Sequence, residues 1–443
     1  MSRKVTIVGF GYIGLCIGAV LAEKRYDITG IDTRQDVVDE INAGKTSVSE
    51  PGLGDLVREA TAGGRLRATT DPSAVADADV VIVTVGTPLG ADYEPDLTQL
   101  RSAIDGIAPH VRPGQIVVLK STVPPGTTDR VVRPALEAGG LVAGRDFSLA
   151  FSPERLAEGR ALLEFQSIPV VVGGVTRSST EATAAFWREA LDVDVIEVTD
   201  AKAAELTKLA DNLWIDLSIA MANELAMLCD RLEVDVLEVI ASANSLPKGA
   251  HNVNILLPSM GVGGSCLTKD PWFVHHLGEL HGLDLRTPQV SRTVNESMPA
   301  YTFGLIESGL RAAGKSLETS KVAVLGLAFK NNTGDLRFTP TKDTIALLEQ
   351  SGCELAVCDP WVSAHEALTI TEVPLSATVE EAVKGADVVA FLAGHDDFRR
   401  IEMEELAGQT NPGCLIVDGR MYFRRSQIER IRELGMRFRG IGR

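Results

Sequence analysis

The chain has 443 residues, of which 45% are hydrophobic, and this is enough for two or three globular domains with sizeable cores. The formal net charge of −17 disfavours nucleic acid and anionic membrane surfaces as partners, so an anionic substrate must be held by local basic groups. The sequence shows neither a signal-peptide pattern nor a run of about 18 apolar residues, and a cytoplasmic protein is expected.

The first predicted element is a buried strand from Val5 to Val8 that leads into a glycine turn and a helix. Gly9, Gly11 and Gly14 form GxGxxG at this turn. The first glycine permits the tight turn, the second lets the backbone approach a pyrophosphate, and the third allows close packing of helix and strand. The motif predicts a dinucleotide site, although three glycines can also serve packing alone.

A second strand, DITGID, ends in Asp32, eighteen residues after Gly14. A carboxylate there would accept hydrogen bonds from the adenosine ribose, which favours NAD over NADP. The alternative cofactor, NADP, would require a cation for its 2′-phosphate, and Arg34, two residues after Asp32, could supply it.

The remaining apolar segments continue this alternation of strands and helices. Strands are predicted within Asp79–Pro88 and Gln115–Thr128, and a helix free of proline and glycine from Thr199 to about Leu232. KVAVLGLAFK then opens a second series of strands. We predict an α/β fold with two Rossmann-like, doubly wound parallel-sheet domains joined by a long central helix, with domains at 1–196, 197–315 and 316–443.

The six cysteines show no spacing typical of a disulfide framework or a CxxC metal site. They stand at positions 16, 229, 266, 353, 358 and 414. Cys353 and Cys358 flank a predicted strand and are expected to be inert core thiols. His275 and His276 are adjacent, so they cannot share a helix face as an i, i+4 metal pair would, and no metal is predicted.

Cys266 stands in MGVGGSCLTKD, Met260 to Asp270, after a glycine turn and four residues before a carboxylate. A thiol combined with a nicotinamide cofactor suggests oxidation through a covalent thioester. Gly261, Gly263 and Gly264 would let the backbone approach a substrate closely. The alternative is that Cys266 is one more small buried hydrophobe.

Seven motifs in order resemble the nucleotide-sugar 6-dehydrogenase family, which includes enzymes for UDP-glucose, UDP-N-acetylhexosamines and GDP-mannose. They are GFGYIG, VGTP (85–88), STVPPGTT (121–128), SPERLAEG (152–159), AELTKLADN (204–212), GVGGSCLTKD (261–270) and LAFKNNTGDLR (327–337). The resemblance covers essentially the whole chain. It implies an NAD-dependent, four-electron oxidation of a sugar C6 alcohol to a carboxylate, with the substrate held between two Rossmann-like domains, and at least a homodimer.

The resemblance also implies roles for individual residues. Cys266 is the nucleophile, and Lys208 and Asn212, four apart on one helix face, stabilise oxyanions. Asp270 orients Lys208 or a hydrolytic water. Glu154 is the base that activates this water; Thr122 positions the water and Glu158 is a supporting carboxylate.

Binding residues follow from the same motifs. For the cofactor they are Gly9, Gly11, Tyr12, Ile13, Gly14, Asp32, Thr87 and Thr122. For the substrate they are Glu154, Arg155, Lys208, Asn212 and Gly263, with Lys330 and Arg337 as a point charge and a bidentate fork for the diphosphate. For the last two, a solvated loop after a strand is the alternative.

The sugar is harder to predict because motifs of two subfamilies are mixed. SPERLAEG, PSMGVGG, DPWF and VNESMP favour an acetylhexosamine, whereas Ser265 beside Cys266 and the pair Lys269-Asp270 favour glucose. We expect oxidation of UDP-glucose to UDP-glucuronate, with UDP-N-acetylglucosamine, UDP-N-acetylmannosamine or TDP-glucose as alternatives. Two other classes remain open: a β-hydroxyacid dehydrogenase, which needs neither the cysteine nor a second Rossmann-like domain, and an NAD-sensing module.

The predicted central helix carries an apolar stripe that is expected to pack in the core and to serve as a dimer interface. Its residues are Leu206, Leu209, Leu213, Leu217, Ala220 and Leu225.

Overall fold

The computed structural model describes residues 3–90 and 93–443. Its chain divides into two compact units, of which one ends at Asp211 and the other begins at Asn212. In the described ranges, no helix is both long enough and apolar enough to cross a membrane.

The first unit contains an eight-stranded sheet with the order β3-β2-β1-β4-β5-β6-β7-β8. Its strands are β1 (Lys4–Val8), β2 (Asp27–Ile31), β3 (Leu66–Thr69), β4 (Val80–Val83), β5 (Ile116–Leu119), β6 (Ser148–Phe151), β7 (Val170–Gly174) and β8 (Val195–Glu197). The first six are parallel and have the strand order of dinucleotide-binding folds. β7 runs antiparallel to β6, a departure from an all-parallel sheet.

The helices of this unit cover a sheet that is buried on both faces. They are α1 (Tyr12–Glu23), α2 (Gln35–Asn42), α3 (Leu53–Ala62), α4 (Thr98–Ile107), α5 (Arg133–Glu137), α6 (Ala161–Glu164) and α7 (Arg177–Leu191). Successive side chains of a strand point to opposite faces. Accordingly, Ile82 packs in one hydrophobic cluster, and Val81 and Val83 in the other.

The predicted long helix is present as α8 (Ala201–Leu232), with 32 residues. It begins two residues later than expected, just after Asp200, whose carboxylate accepts a hydrogen bond from the Ala203 N–H at 2.9 Å. At 1.5 Å per residue the helix is about 48 Å long. Its first turns contribute to the core of the first unit and its second half to the core of the second.

The second unit contains a five-stranded parallel sheet in the order β12-β11-β13-β14-β15. It also contains an antiparallel hairpin, β9 and β10, whose strands have two residues each. Its strands are β9 (Pro247–Lys248), β10 (His251–Asn252), β11 (Lys321–Leu325), β12 (Glu354–Cys358), β13 (Val388–Phe391), β14 (Leu415–Asp418) and β15 (Arg437–Gly440). The order 2-1-3-4-5 is a doubly wound topology. The prediction of two Rossmann-like α/β domains is therefore confirmed.

Eight α-helices and two 3-10 helices that are described after α8 complete this unit. They are α9 (Val236–Asn244), α10 (Asp270–Leu280), α11 (Arg286–Ala312), α12 (Thr341–Gln350), α13 (Ala364–Ala367), α14 (Val379–Val383), α15 (Met403–Gln409) and α16 (Arg425–Glu433), with a 3-10 helix at Leu317–Thr319. The second 3-10 helix of this unit lies at Asp396–Arg400. In the first unit, 3-10 helices lie at Pro72–Asp77 and Ala108–His110, and a π turn lies at Thr128–Val132.

Candidate active site

The glycine turn after β1 has the geometry that a dinucleotide needs. Gly9 has φ +88° and Gly14 lies so close to it that a Cβ would come within 2.2 Å of the Gly9 carbonyl oxygen. A Cβ on Gly11, by contrast, would meet nothing within 4 Å, so open space lies in front of the position where a pyrophosphate is expected. These residues fit NAD.

Other predicted cofactor residues surround this turn. The Asp32 carboxylate follows β2 and accepts the N–H groups of Phe10 and Arg34, both at 3.0 Å, which fixes its orientation. Tyr12 and Ile13 form the first turn of α1. Farther along the chain, the Thr87 hydroxyl donates to the carbonyl of Thr122 at 2.5 Å, which joins two predicted positions.

Glu154 and Lys208 form an ion pair within the first unit. The Lys208 Nζ lies 3.6 Å from the Glu154 Oε2, and the two side chains are 7% and 12% exposed. The other carboxylate oxygen of Glu154 accepts the N–H of Leu156. A carboxylate held in this way keeps lone pairs for a water, and the buried ammonium next to it can stabilise a developing oxyanion.

Lys120 is a neighbouring charge that sequence reasoning missed. Its buried Nζ donates to the carbonyls of Ser152 and Pro153 at 3.2 and 3.1 Å and lies 5.3 Å above the ring of Trp187. Burial lowers the pKa of Lys120 to about 8; Glu154 opposes this shift and Lys208 adds to it. Lys120 therefore anchors the chain immediately before Glu154.

Arg155 and Glu158 belong to the same loop, residues 152–160. Arg155 pairs with Asp211 at 2.9 Å and donates to the Pro169 carbonyl at 3.3 Å, so its guanidinium fixes the loop to α8. Glu158 lies close to α1, since its charge, with those of Glu50 and Glu154, adds to the burial that raises the pKa of Cys16 to about 12. A role of Arg155 in substrate binding stays a prediction.

The second unit brings Asn212, Asp270 and Cys266 together. The Asn212 amide donates to the fully buried Asp270 carboxylate, whose other oxygen pairs with the Lys269 Nζ at 2.6 Å. The N–H of Asp270 in turn donates to the Cys266 carbonyl at 2.8 Å. Asp270 therefore fixes both the amide of Asn212 and the turn that carries the cysteine.

Cys266 is accessible at the end of this turn. All six cysteines lie in the described ranges. Cys266 is exposed to solvent, Cys353 is half-buried and the other four are buried. Burial raises the pKa values of Cys358 and Cys414 to about 12, which makes these thiols poor nucleophiles. Exposure contradicts the alternative that Cys266 is a buried hydrophobe.

The buried ion pair of Arg292 and Asp216 supports the cysteine turn from α11. The Arg292 Nη1 lies 2.8 Å from the Asp216 Oδ1 and 3.4 Å from the carbonyl of Leu267, the residue after Cys266. Both charged side chains are at most 2% exposed. No local sequence pattern indicates this pair, because Asp216 and Arg292 are 76 residues apart.

The glycines before Cys266 are required by packing within the protein. A Cβ on Gly263 would lie 2.6 Å from the Phe338 carbonyl oxygen, and one on Gly264 would lie 2.7 Å from the ring of Phe329. The Gly264 N–H also donates to the Arg337 carbonyl at 3.0 Å. The glycine loop and the loop 329–338 thus lie against each other, while a contact of Gly263 with the sugar stays a prediction.

The two predicted diphosphate cations lie in this second loop. The Arg337 guanidinium is 58% exposed and contacts Asp335, with Nε 2.9 Å from both carboxylate oxygens. Lys330 lies at the start of the loop, half-buried. The loop is held by His395, whose Nδ1 accepts the Asn332 N–H at 2.8 Å and whose Nε2 lies 3.2 Å from Asp359.

Arg420 is a second cation that sequence reasoning missed. Its Nε donates to the Leu392 carbonyl at 2.8 Å and its Nη1 to the Gly261 carbonyl at 3.4 Å, and burial lowers its pKa to about 10. In the part of the chain that the structure describes, its Nη2 has no hydrogen-bond partner. Such a buried donor suits an anionic or hydroxylated ligand.

Residues 3–90 and 93–443 contain no group of three or more His, Cys, Asp or Glu side chains that could hold a metal ion. That the protein needs no metal stays a prediction.

Three family models match successive parts of the chain. They describe the NAD binding domain, the central domain and the UDP binding domain of the UDP-glucose/GDP-mannose dehydrogenase family, at residues 3–191, 202–297 and 323–425. The chain belongs to the UDP-glucose/GDP-mannose dehydrogenase family. The resemblance predicted from the motifs is thereby confirmed, and NAD is the cofactor.

Known members of the nucleotide-sugar dehydrogenase family resemble this one over nearly its whole length. A UDP-N-acetyl-D-mannosamine dehydrogenase of Pyrococcus horikoshii is 33% identical over 99% of both chains. The enzyme of that name from Escherichia coli K12 is 34% identical over 91% of this chain and 96% of its own. A solved UDP-D-ManNAc dehydrogenase from P. horikoshii superposes with a TM-score of 0.88 at 32% identity, covering 100% of this chain and 99% of that one.

These relatives bear on the expected substrate. They support the prediction that the protein is a nucleotide-sugar dehydrogenase. As for the sugar, they favour the acetylhexosamine alternative over the expected UDP-glucose. The expected division at 196 and 315 stays a prediction.

Proposed function

We propose that this dehydrogenase oxidises the C6 hydroxyl of UDP-N-acetyl-D-mannosamine to a carboxylate. The observation that carries the proposal is the 33% identity to a UDP-N-acetyl-D-mannosamine dehydrogenase over 99% of both chains. The motifs SPERLAEG and VNESMP agree with this choice. Ser265 beside Cys266 and the pair Lys269-Asp270 are the features that favour UDP-glucose, the second candidate.

The reaction consumes one alcohol, two NAD and one water, and yields one carboxylate, two NADH and three protons. NAD, when bound, accepts the hydride in each oxidation. After the first oxidation the Cys266 thiolate adds to the aldehyde carbon and a proton goes to the oxygen, forming a thiohemiacetal. Loss of the second hydride and of the hydroxyl proton leaves a thioester, and water breaks its C–S bond to release acid and thiol.

Lys208 and Asn212 stabilise the oxyanions in this sequence. They lie one helical turn apart on one face of α8, so an ammonium and an amide donor project in the same direction. Asp270 accepts one Asn212 N–H and thereby orients the amide. The expected role of Asp270, to orient Lys208 or a hydrolytic water, stays a prediction.

Glu154 is the general base for thioester hydrolysis, with Thr122 positioning the water and Glu158 nearby. The ion pair with Lys208 holds the Glu154 carboxylate in one place, from which it can accept a proton from water. Lys330, Arg337 and Arg420 hold the diphosphate through charge-assisted hydrogen bonds.

We also propose a homodimer through an exposed apolar face of α8. This face is formed by Leu206, Trp214, Met221, Leu228 and Leu232, which are 47, 47, 43, 54 and 62% exposed. The steps of 8, 7, 7 and 4 residues keep them on one side of the helix. Two residues of the predicted stripe, Leu209 and Ala220, are buried in the protein instead.

The stoichiometry of NADH per sugar tests the reaction and the substrate together. The purified protein is given NAD and a limiting amount of UDP-N-acetylmannosamine, UDP-N-acetylglucosamine, UDP-glucose, TDP-glucose or GDP-mannose in separate wells. We expect two NADH per UDP-N-acetylmannosamine. Two NADH per sugar with UDP-glucose alone would contradict the proposed substrate but not the proposed reaction. If no sugar yields more than one NADH, the four-electron mechanism is contradicted.

A further inference from the structure

Glu50 is a buried carboxylate that contacts two functional motifs far from it in sequence. It lies in the segment between α2 and α3 and is 7% exposed. Its Oε2 accepts the Tyr12 hydroxyl and the Gly159 N–H, the latter at 2.6 Å, and its Oε1 accepts the Ala161 N–H at 2.8 Å.

One partner of Glu50 belongs to the cofactor turn. Tyr12 follows Gly11 directly and is the first residue of α1. Burial, together with the hydrogen bond to Glu50, raises the pKa of Tyr12, so the phenol stays protonated and remains a donor. The hydrogen bond to Glu50 therefore fixes the orientation of the ring, which belongs to the residue directly after Gly11.

The other partners belong to the loop that carries the proposed base. Gly159 and Ala161 lie where loop 152–160 ends and α6 begins. The Ala161 N–H would otherwise be an unsatisfied donor at a helix start, whereas the Gly159 N–H also donates to the Tyr12 hydroxyl at 3.3 Å. Glu50 satisfies both from outside the loop. Five residues before Gly159 stands Glu154.

We propose that Glu50 is a positioning residue that couples the cofactor turn to loop 152–160, so that NAD bound at Gly11 and Tyr12 restricts the loop that carries Glu154 and Glu158. The Tyr12 hydroxyl and the two amide N–H groups share one carboxylate, so a change at Tyr12 changes the hydrogen bonds available to Gly159 and Ala161. A ligand that orders one end of such a network lowers the entropy cost of ordering the other end. The catalytic consequence rests on the proposed role of Glu154 in hydrolysis.

Amide hydrogen exchange at Gly159 and Ala161 tests the coupling without turnover. In the wild type, NAD is expected to slow exchange of these amides at least about threefold. Glu50→Gln replaces one acceptor oxygen of the carboxylate by an NH2 group, which is a donor and cannot accept these hydrogen bonds. Tyr12→Phe removes only the hydroxyl. Both variants should lose the NAD effect, while Glu59→Gln, on exposed α3 surface, should keep it.

Either of two results would overturn the inference: no NAD effect in the wild type, or an undiminished effect in Tyr12→Phe. If Glu50→Gln fails to fold, Tyr12→Phe decides whether the cofactor turn and the loop are coupled, since it keeps the carboxylate and removes the hydroxyl that contacts both Glu50 and Gly159.

Turnover gives a second readout. Glu50→Gln is expected to lower kcat about tenfold with little change in the KM for the sugar, and to raise the fraction of enzyme with a covalent adduct on Cys266. A wild type that makes no NADH from any sugar would refute the proposed function, whereas the exchange experiment would still decide the coupling. An active Glu50→Gln with wild-type kcat would refute the catalytic consequence alone.

Discussion

The Nζ of Lys208 lies 3.6 Å from the Oε2 of Glu154, and this buried pair brings a cation and a candidate base into contact. Lys120 adds a second buried ammonium near the same carboxylate. Both ammonium groups are buried, and an electrostatic interaction is stronger there than in water. The same two cations favour negative charge that develops on a substrate oxygen. The cluster of Glu154, Lys208 and Lys120 therefore serves both oxyanion stabilisation and thioester hydrolysis in the proposed mechanism.

Glu154→Gln should slow thioester hydrolysis more than hydride transfer, because the amide cannot take a proton from water. Loss of a general base typically costs 10²- to 10⁴-fold, so kcat should fall by roughly this factor. Intact-mass spectra should then show an adduct on Cys266 after a burst of two NADH per active site. Glu23→Gln, at the exposed end of α1, is the matched control. Normal turnover without any adduct would remove Glu154 from this role.

Cys266→Ser should abolish acid formation, because a serine hydroxyl is a much weaker nucleophile than a thiolate at neutral pH. We expect the rate of acid production to fall by a factor on the order of 10³ or more, with an aldehyde-level or ester-like adduct as the trapped species. Cys353→Ser is the control, since its hydroxyl can keep the hydrogen bond to the Leu348 carbonyl. Undiminished acid production by Cys266→Ser would contradict the thioester mechanism.

The elements that the sequence predicted well are those with a strong local pattern. Helix α8 follows from a long run without proline or glycine, and the strands around Ile82 and Val117 follow from continuous apolar runs. The antiparallel β7 could not be predicted in this way. An apolar strand looks the same in either direction, and its direction depends on the connection from β6, which lacks a full crossover helix.

The residues that sequence reasoning missed bind partners that no local motif reveals. Lys120 donates to main-chain carbonyls 32 and 33 residues away, and Glu50 accepts N–H groups more than 100 residues away. Main-chain groups carry no residue signature. Cys266 and Lys208, by contrast, stand in motifs that predict their chemistry directly.

Lys120→Met should destabilise the protein, because two carbonyls lose their donor, at about 1–3 kcal/mol for each unsatisfied group. The pKa of Lys120 is lowered to about 8 from an ordinary 10.5, so between these values the unfolded state binds more protons than the folded state. Stability from this residue therefore rises with pH over that window. Melting temperatures of wild type and variant at pH 7 to 10 should diverge as the pH rises. A constant difference would contradict the assigned titration.

Glu205 should make stability depend on pH in the acidic range. Its buried carboxylate accepts the Gly126 N–H and the N–H and hydroxyl of Thr128, yet burial raises its pKa to about 6 from 4.5. A raised folded-state pKa contributes stability that is fully present below pH 4.5 and is lost as the pH rises through 6. Glu205→Gln should remove this slope and cost about 1–3 kcal/mol, because the amide leaves at least one donor unpaired. Urea unfolding at pH 4.5, 5.5 and 6.5 measures both effects, and an unchanged slope would show that another group titrates.

Charges on the exposed face of α8 should separate the proposed dimer. Met221→Glu combined with Leu228→Glu puts two carboxylates where apolar side chains, 43 and 54% exposed, would pack against a second copy. Burying an unpaired charge at an interface costs several kcal/mol, so the variant should sediment as a monomer at micromolar concentration while the wild type sediments as a dimer. Leu368→Glu is the control. Leu368 follows α13 directly and is 62% exposed, and its substitution should leave the dimer intact. A wild type that is monomeric at this concentration, or a double variant that remains dimeric, would contradict the assignment of this face as the interface.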